Sequence, residues 1–325
     1  MKAQISEAKV ALLDRLPSEV ITVFPLAVAV ALVAIGPLLA PHQLSILNQI
    51  LILGIFGMAY DLLFGYTGLM SFGHAAFFGG GTYTAVYLTA EFGLPLLVII
   101  AAAIVLGAVL ASLIGIVSLQ TTGVYFSMIT LAMAQLLYIL TVRLGDSLGG
   151  ASGLSIFDRP TTLLPIDLGD QFQFFVVTVV ILLVTYLVLQ RVLKSPVGDV
   201  FRAIRENEER AEMLGYNTFY YKLAALTLSG SVSAVAGVLY GLFLYFASPT
   251  FLNWTMSGDV LLQTLFGGAG TLFGPVVGAG FVVLLDEFLS PITDQWRLMV
   301  GAAFVLVVLF FPEGIVGLLT SDDRE

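Results

Sequence analysis

Two stretches of the sequence place glycines and polar side chains inside otherwise apolar chain, and these are the first residues that could do chemistry. One is Gly65-Tyr66-Thr67-Gly68-Leu69-Met70-Ser71-Phe72-Gly73-His74, followed by Gly79-Gly80-Gly81-Thr82. The other is Gly267-Gly268-Ala269-Gly270-Thr271-Leu272-Phe273-Gly274-Pro275, continuing to Gly278 and Gly280. Glycine weakens helix continuity. In a lipid environment a broken backbone survives only where protein or a water-filled cavity satisfies it, and glycine-interrupted apolar segments point to a transport pathway. Thr67, Ser71, His74 and Thr82 set polar groups beside the first set of breaks, which favours a pathway role for it. The spacing of Gly270, Gly274 and Gly278 favours close helix packing for the second, as does Gly237/Gly241 elsewhere.

A third candidate runs Thr121-Thr122-Gly123-Val124-Tyr125-Phe126-Ser127, with Thr130 one turn on. Its hydroxyls could bond the amino or carboxylate group of a solute, or simply the carbonyls of their own helix. His74 is one of two histidines, and a lone histidine is more often a packing residue than a ligand or a proton relay. Asp61 ends a long apolar run. At true membrane depth a carboxylate would be functional; at the interface it would only mark the boundary.

The remaining candidate is a polar island at about 191–222, which holds eleven of the thirty-five charged residues. Ser195-Pro196 reads as an N-cap followed by proline at the first helical position. Asn207 reads as a second N-cap, Glu208 and Glu209 suit the first turn of a helix, and Gly215 stands where a glycine would end it. Two short helices, roughly 196–205 and 208–214, are expected. They are either an ordinary capped loop or a docking element for a partner that supplies energy.

These candidates must be positioned by membrane helices. Of 325 residues, 58% are hydrophobic and 11% charged, and the mean hydropathy is +1.00. A soluble domain carries roughly 25% charge and needs polar side chains over its surface. Residues 20–60, 62–90, 92–142, 171–190, 223–258 and 260–285 contain no Asp, Glu, Lys or Arg, and a spanning helix needs about 20 apolar residues. The alternation of a membrane barrel is absent. Met1 to Glu19 reads as a polar leader to a first span, without a cleavage site.

Spans are predicted near 20–40, 44–64, 70–90, 94–119, 122–142, 172–190 and 223–247, with shorter pieces near 257–272 and 275–289 and a last span at about 297–318. The fold class is therefore all-α: a polytopic transmembrane helical bundle of 8–10 spans with Gly-broken or re-entrant segments. The whole chain, 1–325, reads as one membrane domain, with 191–222 as an insert within it. Nine of the thirteen basic residues precede the first span or lie in the island, and the span count puts both on one side. The preference of Lys and Arg for the inner side makes that side cytoplasmic. Both termini are then cytoplasmic and 143–171 is external.

Enzymatic readings find little support. There is no cysteine, so disulfides and thiol chemistry are excluded. No GxxxxGK[ST] phosphate loop, HExxH or nucleophile elbow occurs, so no catalytic residue, metal site or cofactor is expected. The net charge of −9 argues against nucleic acid as a partner.

Several stretches together resemble the permease subunit of branched-chain amino acid ABC importers, of the LivM type. They are GYTGLMSFGHAAFFGGGTYTA from Gly65, TTGVYFSMITLA from Thr121, GGASGL from Gly149, RAIRENEERAEMLGYN from Arg202, LFGGAGTLFGPVVGA from Leu265 and FPEGIVGLL from Phe311. The resemblance implies an inner-membrane importer in which this chain pairs with a second, related permease. Two cytoplasmic ABC ATPase subunits would drive it and an extracytoplasmic binding protein would deliver the solute. Such permeases carry an E-A-A-x-x-x-G coupling motif. Glu209, Ala211 and Gly215 fall on it, Arg210 replaces the first alanine, and Arg205 lies just upstream. From the glycine-broken segments and the Thr121 stretch, the candidate translocation pathway comprises Gly65, Gly68, Ser71, His74, Thr82, Thr121, Gly123, Tyr125, Gly267, Gly268 and Gly270. The expected solute is a branched-chain or other hydrophobic amino acid, moved by alternating access; urea or a short-chain amide is the alternative. A stand-alone secondary transporter or channel is a further rival, for which Asp61 and His74 are thin support.

Overall fold

In the computed structural model of the chain, the residues described are 18–160 and 167–291, with 295, 298–299, 301–302, 305 and 314. Helices dominate them. They are α1 (Ser18–Ile35), α2 (Pro41–Thr67), α3 (His74–Phe92), α4 (Leu96–Ser118), α5 (Val124–Arg143) and a single turn, α6 (Gly145–Leu148). After these come α7 (Gln171–Leu193), α8 (Pro196–Glu206), α9 (Glu208–Met213), α10 (Thr218–Leu244), α11 (Trp254–Gly267) and α12 (Gly274–Leu289). Strands β1 (Leu154–Ser155) and β2 (Phe246–Ala247) form one antiparallel rung.

Among the described residues five helices, α2, α4, α5, α7 and α10, are long and apolar enough to cross a membrane on their own. The chain is a multi-pass, all-helical membrane protein. The predicted spans at 44–64, 94–119, 122–142, 172–190 and 223–247 fall on these five helices. The span expected at 297–318 lies almost wholly outside the described residues. Helices α11 and α12, of 14 and 16 residues, reach only about 21 and 24 Å at 1.5 Å per residue.

Helices α2, α3 and α10 make the centre. Phe56, Tyr60, Phe77 and Phe78 are fully buried there. Glycine brings the backbones together. A Cβ on Gly81 would sit 2.0 Å from the Ala234 carbonyl oxygen, and one on Gly237 would sit 2.0 Å from that of Phe78. Helix α12 runs antiparallel along α2, with Gly57 against Pro275 and Gly54 against Val276. The outward faces of α4, α5 and α7 stay apolar and exposed, as at Val105, Leu113, Leu136 and Val184, which suits helices facing lipid.

At the end of the bundle away from α8 and α9, Arg159 ties the 145–170 loop to α10. Its guanidinium donates to the carbonyls of Leu242 (2.9 Å) and Leu168 (2.6 Å) and stacks 3.9 Å from the Phe174 ring centroid. Burial lowers its pKa from the ordinary arginine value, and the neighbouring Tyr245 acts in the opposite direction.

Candidate functional site

The first glycine-rich stretch breaks the bundle. Helix α2 stops at Gly68, whose left-handed backbone (φ 75°) no other residue adopts cheaply. Its N–H and that of Leu69 close back on Phe64 and Leu63, a glycine C-cap. The chain then turns back among the helices and restarts as α3 at His74. His74 lies level with Ala59 of α2, because both bond Ser229. Eight residues, about 12 Å at 1.5 Å per residue, separate Ala59 from the end of α2.

A non-helical segment at that depth leaves backbone groups that no water reaches. Hydroxyls satisfy them. Ser127 donates to the Met70 carbonyl (2.6 Å), Thr130 accepts from the Phe72 N–H (3.1 Å), and Ser71 accepts from the Gly73 N–H (3.1 Å). Ser257, in the first turn of α11, donates to the Phe72 carbonyl and accepts from the Ala75 N–H, both at 2.8 Å. The N-termini of α3 and α11 thus meet at one hydroxyl inside the bundle, and helix N-termini favour negative charge.

His74 is fully buried. Its ring packs edge-on against Tyr60 and Phe77, with centroids 4.7 and 5.5 Å away. Ser229 gives its single proton to the Ala59 carbonyl, so at 2.7 Å it accepts from the Nε2–H of His74. Nδ1 is left as a bare acceptor without a hydrogen-bond partner among the described residues.

The second stretch forms the tight turn between α11 and α12. Gly268 and Gly270 have φ of 110° and 84°, and Leu272 has φ 54°, a conformation an L-residue adopts at a cost of roughly 1–2 kcal/mol. Asp61, fully buried, holds the turn: Oδ1 accepts from the Gly270 N–H at 2.7 Å and Oδ2 from the Leu272 N–H at 3.1 Å. Thr271 Oγ1 donates to the Gly268 carbonyl (2.7 Å) and accepts from the Gly274 N–H (3.0 Å). Gly267 abuts the Gly274 carbonyl, where a Cβ would approach to 1.9 Å. Gly65 lies under this turn; its missing side chain leaves room for Asp61 Oδ1 and Gly270 N, and its carbonyl accepts from Arg205 Nη1.

Arg205 comes from the polar island, where both expected short helices form. Ser195 precedes Pro196 as expected, but its hydroxyl donates back to the Val192 carbonyl (2.6 Å) and does not cap α8. Asn207 does cap α9, accepting from Arg210 N at 2.8 Å. Ala211 is 2% exposed and packs on Val200 and Ile204 of α8, so it supports the surface from behind. Glu209 and Arg210 face outward, and Gly215 (φ 93°) has open space beside it. Met213 and Leu214 are 77% and 72% exposed. Two ties fix α9 to α10: Glu208 pairs with Lys222, and the Thr218 hydroxyl lies 2.7 Å from Glu212 and 3.0 Å from Glu208.

The predicted pathway residues thus divide. Gly65, Gly68 and Gly270 gather at Asp61 and Arg205, and Gly267 and Gly268 belong to the same α11–α12 turn as Gly270. Ser71 and His74 lie deeper in the bundle. Thr82 bonds the Gly79 carbonyl of its own helix at 2.7 Å, and Thr121 bonds Ser118 at 2.9 Å. Gly123 caps the start of α5 with nothing within 4 Å, and Tyr125 is 72% exposed. Sequence reasoning did not single out Ser229 and Ser257, because ordinary serines in helices carry no spacing signal. Asp61 did carry one, as a solitary charge between two long charge-free runs.

A profile of the family described as "Branched-chain amino acid transport system / permease component" matches residues 43–309. The high-affinity branched-chain amino acid transport system permease protein LivM of Escherichia coli is 26% identical over 315 residues, covering 90% of this chain and 74% of the relative. The probable branched-chain amino acid transport permease protein LivM of Methanocaldococcus jannaschii is 25% identical over 241 residues, covering 69% of this chain and 68% of that one. LivH of Escherichia coli, a permease protein of the same kind of system, is 29% identical over 126 residues, 38% of this chain and 40% of the relative. No solved structure matches the chain.

Proposed function

The chain belongs to the family of permease components of branched-chain amino acid transport systems, and from that premise we propose that it is one of two related permease subunits of an ATP-driven importer. It is not an enzyme itself; hydrolysis resides on two ABC ATPase subunits at the α8–α9 end, which is the cytoplasmic side of the inner membrane. Both termini lie on that side, and the whole chain works as one membrane domain. A binding protein delivers the solute from the other side. The solute class follows the names of the relatives: branched-chain amino acids.

The observation that carries this reading is the construction of α9. It is backed by buried Ala211, tied to α10 through Glu208–Lys222, and turned outward at Glu209, Met213 and Leu214. A short rigid knob with an apolar tip suits a groove on a motor subunit, and its ties pass force directly to α10. The glycine-broken segments 65–82 and 267–280 flex or line the path as access alternates.

Replacing Glu209 with Lys, or Gly215 with a bulky residue, is expected to cut uptake severely while membrane insertion stays normal. Co-purification of ATPase subunits with the chain, lost on those substitutions, tests the contact directly. Normal uptake by the Glu209→Lys variant removes the docking assignment.

A further inference from the structure

The two glycine turns share one sequence pattern. Leu-Phe-Gly-x-x-Gly occurs at Leu63–Gly68 and again at Leu265–Gly270, and a Phe-Gly pair, Phe72-Gly73 and Phe273-Gly274, leads into the next helix each time. The second glycine of each copy is left-handed, with φ 75° at Gly68 and 84° at Gly270. Each copy therefore ends one helix, α2 or α11, and swings the chain into another, α3 or α12.

Both elbows close on one side chain. The Cγ of Arg205 lies 3.3 Å from where a Cβ of Gly68 would stand, and its Nη1 lies 3.1 Å from that position on Gly270. Its guanidinium also donates to the carbonyl of Gly65, the residue whose bare Cα faces Asp61 and the Gly270 amide. Asp61 belongs to the first elbow's helix and holds the second elbow's backbone, and it lies within electrostatic range of Arg205. Arg205 itself sits in the last turn of α8, an element that belongs to neither elbow.

We propose that Arg205 is the positioning residue that pins the two Leu-Phe-Gly-x-x-Gly elbows to each other, so that displacement of α8 moves both helix breaks at once. Its use in transport rests on the docking reading above; the pin itself does not. Glycine suits both positions through its left-handed backbone, and the arginine stem and guanidinium pack beside them. A lysine keeps the stem but lacks the flat guanidinium whose Nη1 lies between the Gly65 carbonyl and Gly270.

The test is amide hydrogen exchange on the full chain in lipid nanodiscs. Arg205→Ala is expected to speed exchange at least ten-fold in peptides covering both 65–73 and 268–274. Faster exchange confined to 196–206, with the elbows unchanged, would mean that Arg205 only anchors α8, and overturns the proposal. If the Ala variant does not fold, Arg205→Lys serves: a smaller rise in both elbows supports the pin, and no rise in either overturns it. Asp61→Asn is expected to open 268–274 and leave 68–73 as it was. Equal opening of both would make the carboxylate, not the arginine, the shared element, and also overturns the proposal. In the assembled transporter, Arg205→Ala lowers uptake at least ten-fold. Should no ATPase co-purify with the unsubstituted chain, the docking reading fails and the exchange result still stands.

Discussion

The carboxylate of Asp61 accepts a hydrogen bond from the backbone N–H of Gly270, 209 residues further along the chain, at 2.7 Å. A carboxylate inside one apolar helix thereby does the work of a backbone partner for another part of the molecule. The turn between α11 and α12 has three residues at positive φ, one of them Leu272. Such a turn persists only where its surroundings over-determine it, and both carboxylate oxygens are used for that.

Asp61→Ala leaves the half-buried amide of Gly270 and the buried amide of Leu272 without their acceptors. Each costs about 1–3 kcal/mol, so thermal unfolding in detergent should show a clear fall in Tm. Asp61→Asn keeps the shape and one acceptor, and should fall between. An Ala variant that melts with the parent would show that the carboxylate does not hold the turn.

The glycines where α3 meets α10 make a second prediction. Gly237→Ala and Gly81→Ala each drive a methyl into a carbonyl oxygen 2.0 Å away, and neither backbone has a rotamer with which to yield. Both variants should accumulate poorly in the membrane. Gly258→Ala is the control: it lies inside α11 with nothing within 4 Å, so relief of glycine's chain entropy should leave it neutral or stabilise it by about 0.5–1 kcal/mol. Yield and melting temperature of the three variants, side by side, decide the matter.

Glu208 and Glu209 are adjacent but should behave differently. Lys222 is 3% exposed, and Glu208 is its partner. Glu208→Ala strands a buried ammonium and should cost about 2 kcal/mol, less than a fully buried pair would, since the Glu208 side chain is 31% exposed. Glu209→Ala should leave stability within about 0.5 kcal/mol, as exposed substitutions do. Combining Glu208→Gln with Lys222→Met should recover most of the loss. Melting curves that rank Glu209→Ala below Glu208→Ala would refute this division of labour.

Donor counting fixes the tautomer of His74. With only two histidines in the chain, nitrogen-labelled histidine in a His42→Gln background isolates its signals. The expectation is a protonated Nε2 and a bare Nδ1. His74→Gln keeps a donor near Ser229 and should retain more transport than His74→Asn, whose amide stops short. A spectrum with the proton on Nδ1 would reverse the assignment.

Much of the fold was legible in the sequence because charge-free length and glycine position are local signals. The long spans, the two short helices of the island and the Asn207 cap all followed from them. The hydroxyls were harder. Ser127 and Thr130 read as solute ligands or as bonded to their own helix: Thr130 does donate to the Ser127 carbonyl of that helix, but it also takes the Phe72 amide, and the Ser127 hydroxyl binds the Met70 carbonyl, partners 58 and 57 residues away that no local pattern announces. Ala211 was legible as part of a motif, but its inward face depends on where α8 packs. Asp61 showed itself as a lone charge; its depth and its partners came only from the tertiary structure.

The backbone contact between α3 and α10 limits what any transport motion can be. Where main chain meets main chain, with Gly81 against Ala234 and Gly237 against Phe78, neither helix has a free notch into which to slip by one residue. The pair must travel as a single beam. Whatever gate opens and shuts has to pivot where the beam is jointed to its neighbours, and a substitution that merely loosens the beam should produce leaking or idling, not faster carriage.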